Sequence, residues 1–158
     1  MATKNPYGDD LGSLDPLKAL AGTPRKIQRI VGAWNKRQWE RSYAPGKWSA
    51  RRVMIHLAQM EMALTGRVRY AASQEGYAAQ PIDQDAWLPV DDRADGPTAL
   101  DAYLALRRLN VAMFKGLTPA QRKRTFTHPE YGQLNAGWVA AQLAGHDLHH
   151  LKQLRQIR

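Results

Sequence analysis

The stretch GHDLHHLKQ, residues 145–153, holds three of the chain's five histidines, His146, His149 and His150. Leu143, Leu148, Leu151 and Leu154 lie in and around it. The leucines recur at helical spacing, so the segment reads as a packing helix. Histidine is a middling helix former and an uneasy core residue. Either the cluster lies on the surface, or its nitrogens have something to bind. His146 and His150 are spaced i, i+4, which sets them one turn apart on one helix face with Cβ atoms about 6 Å apart. Two imidazoles so placed can hold one divalent metal ion, with the spacing of zinc-binding HExxH helices, although no glutamate follows His146. His149 sits about 100° around the helix from His150. It is expected to support the ligands or to hydrogen-bond an adjacent helix.

Outward from this stretch, the last helix is predicted over about Ala136–Ile157, capped by Asn135, with Val139, Leu143, His146, His150, Leu154 and Ile157 on one stripe. Ser49 caps another long helix, about Ala50–Ser73, on which Val53, His56, Leu57, Met60 and Leu64 share a face. His56 therefore falls inside an apolar stripe, where an unpaired imidazole is costly. Three histidines aimed at one interior form a site of three neutral nitrogens with open positions, suited to Zn²⁺ or Ni²⁺. Glu61, five residues after His56, is a candidate to orient a ligand histidine or act as a base, or is an exposed or salt-bridged residue. His128, in the turn-like THPEYG, is expected to be a loop or capping histidine.

The remaining pattern is helical. Pro16 opens a short helix that stops near Gly22, and Thr23-Pro24 reads as an N-cap followed by proline at the first position of a helix over about Pro24–Glu40. A third long helix follows Gly96-Pro97, is capped by Thr98 and runs to about Gly116; Leu106, Leu109 and Met113 widen its stripe and predict burial on more than one side. Thr118-Pro119 starts a short helical turn, and residues 125–134 read as a loop. No strand pattern is visible. The expected fold is all-α, a four-helix bundle in a single domain over residues 1–158, with 1–15 a loose N-terminal arm. About 24 residues join the second and third helices, against the usual 2–8 or so in bundles. Trp87, Leu88, Pro89 and Val90 predict an ordered crossover or lid within this acidic segment.

Composition narrows the function classes. The chain has 158 residues, no cysteine and a formal net charge of +9. That excludes disulfides and thiolate chemistry from the protein's own side chains. The polar start lacks a signal-peptide pattern, and no stretch approaches the roughly 18 apolar residues of a membrane span, so a cytoplasmic protein without membrane attachment is expected. The basic surface admits nucleic acid as a partner, through Arg51-Arg52, Arg107-Arg108 and Arg122-Lys123-Arg124. No nucleic-acid motif accompanies these scattered residues, so this partner is not favoured.

GKWSARRVMIHLAQME (46–61) followed by HPEYGQLNAGWVAAQLAGHDLHHLKQ (128–153) resembles the DinB/YfiT-like superfamily of bacterial metalloenzymes, over nearly the whole chain from about Pro24. The resemblance implies a four-helix bundle that holds a divalent metal through one histidine of the second helix and two of the last, matching His56, His146 and His150. Gln153 matches the family's glutamine, and implies packing or a hydrogen bond to the ligands. Relatives that use low-molecular-weight thiols such as bacillithiol, mycothiol or glutathione imply a metal-dependent thiol S-transferase or a related isomerase or hydrolase, with a small-molecule electrophile as substrate. The same resemblance implies a homodimer. A metal-binding stress-response protein without catalysis, or a nucleic-acid-binding protein, is the alternative.

Overall fold

A computed structural model describes residues 4–157. After α1 (Gly8–Leu11), four long helices carry the architecture: α2 (Pro16–Val31), then, past the single turn α3 (Lys36–Trp39), α4 (Ala50–Ser73), and, past α5 (Gln84–Trp87) and a 3₁₀ turn (Leu88–Asp91), α6 (Gly96–Gly116). The short α7 (Pro119–Lys123) and a hairpin of β1 (Thr125–His128) and β2 (Gly132–Asn135) lead to α8 (Ala136–Leu154). α4 packs along α6 and α2 along α8, and α2–α6 and α4–α8 contacts close a four-helix bundle.

Side-chain caps set the helix starts. Asp15, Ser49, Asp95 and Asn135 each accept a backbone N–H three residues on, at 2.8, 3.4, 2.8 and 3.0 Å. Each satisfies one of the donors a helix start leaves open. At the start of α6 the cap is thus Asp95 and not Thr98, whose N–H is the donor.

The expected break at Gly22 does not occur, because α2 runs through Pro24. An interior proline normally frees the carbonyl four residues earlier. Here Leu20 O receives an N–H from Arg107 Nη1 at 3.2 Å, so a tertiary contact replaces the missing helical bond. Thr23 is not a cap; its hydroxyl donates to Ala19 O at 2.8 Å. The helix ends at Val31, and α3 is separate.

Three further expectations are corrected. The N-terminal arm is not loose over its described residues: α1 packs on α8, and Asp10 accepts from Lys152 Nζ at 2.7 Å. The loop at 125–134 contains the β1–β2 hairpin, in which Phe126 pairs with Leu134 and both are buried. Its four-residue strands are too short to show a period-2 pattern against a helical background. On α6, Leu109 is 62% exposed, while Tyr103, Arg107, Asn110 and Phe114 form the buried face. Polar residues there occupy positions that the leucines suggested for themselves.

The core is consequently divided. One apolar cluster contains Ile27, Val31, Val53, Leu57, Tyr103 and Leu154, and the other Leu20, Leu64, Phe114, Phe126, Val139 and Leu143. Between them, along α4, α6 and α8, lie the buried polar groups His56, Glu61, Arg107, Asn110, His146, Asp147 and His150. The long connection is ordered. Leu88 is buried in it, Gln59 Nε2 donates to Trp87 O at 2.9 Å, and Ala78 and Thr127 form a parallel bridge. Val90, at 79% exposure, is not one of its anchors.

Candidate metal centre

His56 on α4 and His146 and His150 on α8 meet in this polar layer. They are 1%, 4% and 5% exposed. The Nε2 atoms of His56 and His146 are 2.8 Å apart, and those of His146 and His150 3.1 Å. One ligand atom from each lies within 4.8 Å of the others. Three nitrogens bound tetrahedrally at zinc distances would be spaced at about 3.3 Å. His146 Nε2 has one proton or one lone pair to offer, yet faces two neighbours. The three imidazoles cannot satisfy one another, whereas a single divalent cation would accept all three lone pairs.

Burial holds these side chains neutral. It pushes His56 down to about 3, with His150 adding to the shift, and His150 down to about 4. His146 lies well below the usual histidine range, through burial and then the neighbouring His150 and His56. Neutral imidazole is the form that ligates metal.

Among the described residues, a hydrogen bond from behind holds only His150 of the three. Gln153 Oε1 accepts from its Nδ1 at 2.7 Å, while Gln153 Nε2 donates to His149 Nε2 at 3.0 Å. His149 Nδ1 lies 3.3 Å from Asp10 Oδ2. The Nδ1 atoms of His56 and His146 have no partner among the described residues. Rings pack on them instead: Trp48 lies 5.1 Å from His56 and Tyr7 5.0 Å from His146, centroid to centroid.

Glu61 is not at the reactive centre. Its carboxylate is taken by Arg107 and Asn110, so it is the salt-bridged residue of the two readings and has no free lone pair directed at the histidines. Arg107 also donates to Asp147 at 2.6 Å, and Tyr103 donates to the same oxygen at 2.7 Å. Arg107 is therefore absent from the basic surface. Arg51 and Arg52 are likewise engaged, by Asp92 at 3.1 and 2.7 Å. His128 Nδ1 accepts from the backbone N–H of Glu130 at 3.2 Å, a turn-capping role.

Two cavities meet at the histidines. One, of about 250 Å³, is lined by His56 and His146 with Met60, Leu64, Ile82 and Arg67. The other, of about 340 Å³, is lined by His56 and His150 with Lys47, Trp48, His149 and Gln153. Tyr7 and Gln84 line both. The acidic connection thus covers the centre through Gln84. Tyr7 was not legible as a site residue, because its position depends on the N-terminal segment folding back onto α8.

Residues 19–154 match the family model of the DinB superfamily. The chain belongs to that superfamily. It is 30% identical over 142 residues to a protein of Oceanobacillus iheyensis provisionally named a metal-dependent hydrolase, covering 89% of this chain and 83% of that one. It is 28% identical over 144 residues to YfiT of Bacillus subtilis, provisionally named in the same way, covering 89% and 81%. The solved structure of YfiT, described as a probable metal-dependent hydrolase with an unusual four-helix bundle topology, superposes with a TM-score of 0.81 at 26% identity over 90% of this chain and 83% of YfiT. A second solved four-helix bundle, TT2238, shares the fold with a TM-score of 0.58 at 23% identity over 89% and 95%. Among the described residues, no helix is long and apolar enough to cross a membrane.

Proposed function

We propose that this DinB protein is a divalent-metal-dependent enzyme in which His56, His146 and His150 hold Zn²⁺ or Ni²⁺, and that it joins a low-molecular-weight thiol to an electrophilic small molecule. The observation that carries this reading is the pair of cavities opening onto one cluster of three neutral imidazoles. Transfer between two organic substrates needs two approaches to one centre. A divalent metal ion held by His56, His146 and His150 would supply stabilisation of a thiol as its thiolate at neutral pH.

The chain's own residues bind, orient and exclude water. Gln153 orients His150 so that its Nε2 lone pair faces the centre. The rings of Trp48 and Tyr7 wall the imidazoles from bulk water, which strengthens the electrostatic interactions inside. The cavity with Lys47, His149 and Gln153 suits a polar, anionic thiol compound. The one walled by Met60, Leu64 and Ile82 suits the apolar body of an electrophile. Hydrolysis is the second reading, favoured by the names of the relatives: a metal ion held by the same three histidines would supply activation of water at neutral pH.

The test is elemental analysis of untagged protein purified without a nickel column or chelator, beside His56→Ala. About one Zn or Ni per chain, lost in the variant, is expected. Tight stoichiometric metal in His56→Ala would show that the three histidines are not the ligands. With the metal established, product analysis with and without added thiol separates the two chemistries. S-conjugates that form only with thiol support transfer, and thiol-independent cleavage supports hydrolysis.

A further inference from the structure

Arg67 on α4 is 6% exposed and lines the cavity that opens onto His56 and His146. Its Nη2 donates to the carbonyl of Gln80 at 2.5 Å. None of the ion pairs among the described residues includes it. The other deeply buried arginine, Arg107, is neutralised by Glu61 and Asp147. Glu130 also lines the cavity, but it is exposed and is not within ion-pair distance of Arg67. A guanidinium out of water without a counter-ion is costly, and an anion restores the balance. The same cavity is lined by Gln142, whose buried Oε1 has no hydrogen-bond partner among the described residues.

Spacing adds a length. His56, Met60, Leu64 and Arg67 all line this cavity, at i, i+4, i+8 and i+11 on one helix face. The Cα atoms of His56 and Arg67 are therefore separated by about 16 Å of helix rise, and a helical side chain leans back toward the N-terminus, shortening the gap. Between the two ends lie Met60 and Leu64, with Ile82 across from the connecting segment.

We infer that this cavity takes a small carboxylate with an apolar body, its carboxylate paired with Arg67 and its reactive end at the three histidines. The inference rests on those histidines being the reactive centre, and it names the substrate class for the proposed enzyme. The donor left for Gln142 Oε1 is a hydroxyl or amide N–H on the body of the ligand. An apolar wall between the two ends assigns the carboxylate to the electrophile, or to a hydrolysed substrate, and not to a polar thiol compound.

The test uses octanoate and its neutral isostere octanamide as probes, titrated calorimetrically into zinc-loaded protein and into protein stripped with EDTA and dialysed. Octanoate is expected to bind at least about tenfold more tightly than octanamide in both forms, since a hydrogen-bonded charge pair replaces a neutral contact. Arg67→Gln should reduce that preference to about threefold or less, and Arg67→Lys, which keeps the charge and guards against misfolding of the first variant, should retain part of it. Equal binding of the two probes, or an unchanged preference in Arg67→Gln, would overturn the inference. So would a preference that vanishes with EDTA, because the carboxylate would then sit on the metal. Arg67-dependent binding of reduced glutathione in place of octanoate would assign the cavity to the thiol and equally overturn it. Metal analysis of the same samples keeps the two ideas apart. A carboxylate preference in protein that binds no metal sinks the metalloenzyme reading, and with it the role of the histidines as the reactive end, while the Arg67 carboxylate site stands; metal without the preference sinks this inference alone.

Discussion

Gln153 Oε1 and His150 Nδ1 lie 2.7 Å apart, and the second arm of the same carboxamide reaches His149 Nε2 at 3.0 Å. An amide oxygen only accepts, so this orientation keeps the His150 proton on Nδ1 and leaves Nε2 as a lone pair facing His56 and His146. His149 and Asp10 extend the chain of contacts to α1. One histidine of three is thus held in its ligating tautomer from behind, and the other two are held by ring packing.

Gln153→Ala should therefore weaken metal binding by about 10–100-fold while leaving the fold intact. Competition titration against a zinc chelator measures it. Gln153→Glu, which keeps an acceptor at this point, should restore most of the affinity. If Gln153→Ala binds zinc as tightly as the unaltered protein, the glutamine is a packing residue only.

Arg107 bridges Glu61 and Asp147 and also fills the carbonyl of Leu20 that Pro24 leaves open. Arg107→Met leaves two buried carboxylates without a cation and should cost about 3–5 kcal/mol in urea unfolding. Arg107→Lys should not recover the loss, because one ammonium cannot reproduce the forked contacts. A loss below about 1 kcal/mol in Arg107→Met would mean that the acids find other partners.

Gly145 has no room for a side chain. A Cβ there would lie 2.2 Å from Tyr7 O and 2.8 Å from Tyr7 Cβ. Gly145→Ala should push the N-terminal segment off α8 and cost about 1–3 kcal/mol. Because Tyr7 lines both cavities, the variant should also expose the histidines, seen as faster loss of bound zinc to a chelator. Unchanged stability and zinc release would show that the segment yields without consequence.

Acid should destabilise the metal-free protein early. His56 and His150 titrate at about 3 and about 4 in the fold, through burial, against about 6.5 when unfolded. The unfolded chain therefore binds more protons below pH 6.5, and stability present above that pH is lost as pH falls toward 4. Each histidine that remains neutral at pH 5 contributes a loss of roughly 2 kcal/mol relative to pH 7.5. Urea unfolding across pH 7.5–5 should show the decline, and His56→Leu should flatten it by about one such share. A flat profile down to pH 5 would contradict neutral burial of these rings.

Local rules carried much of this molecule. The long helices at Ala50–Ser73 and Ala136–Leu154 were legible from Ser49, Asn135 and apolar periodicity, and the bundle followed from them. The histidine cluster was legible as well, because His56, His146 and His150 sit on stripes that have to face inward and carry a residue that needs a partner there. Pro24 and Leu109 escape the local reading, and the two readings of Glu61 stay open in sequence, for one reason: each is decided by Arg107 or by the helix it sits on. Pro24 is tolerated because that guanidinium reaches Leu20 O, Glu61 is spent on it, and Leu109 is turned outward because Arg107 and Asn110 occupy the buried face of α6. Such contacts span 40 to 87 residues of chain and leave no periodic trace. The same holds for Tyr7 against His146 and for Arg67 beside an unneutralised cavity. Sequence determined which residues could meet in the interior. Tertiary packing decided which charges were paired there and which one was left open.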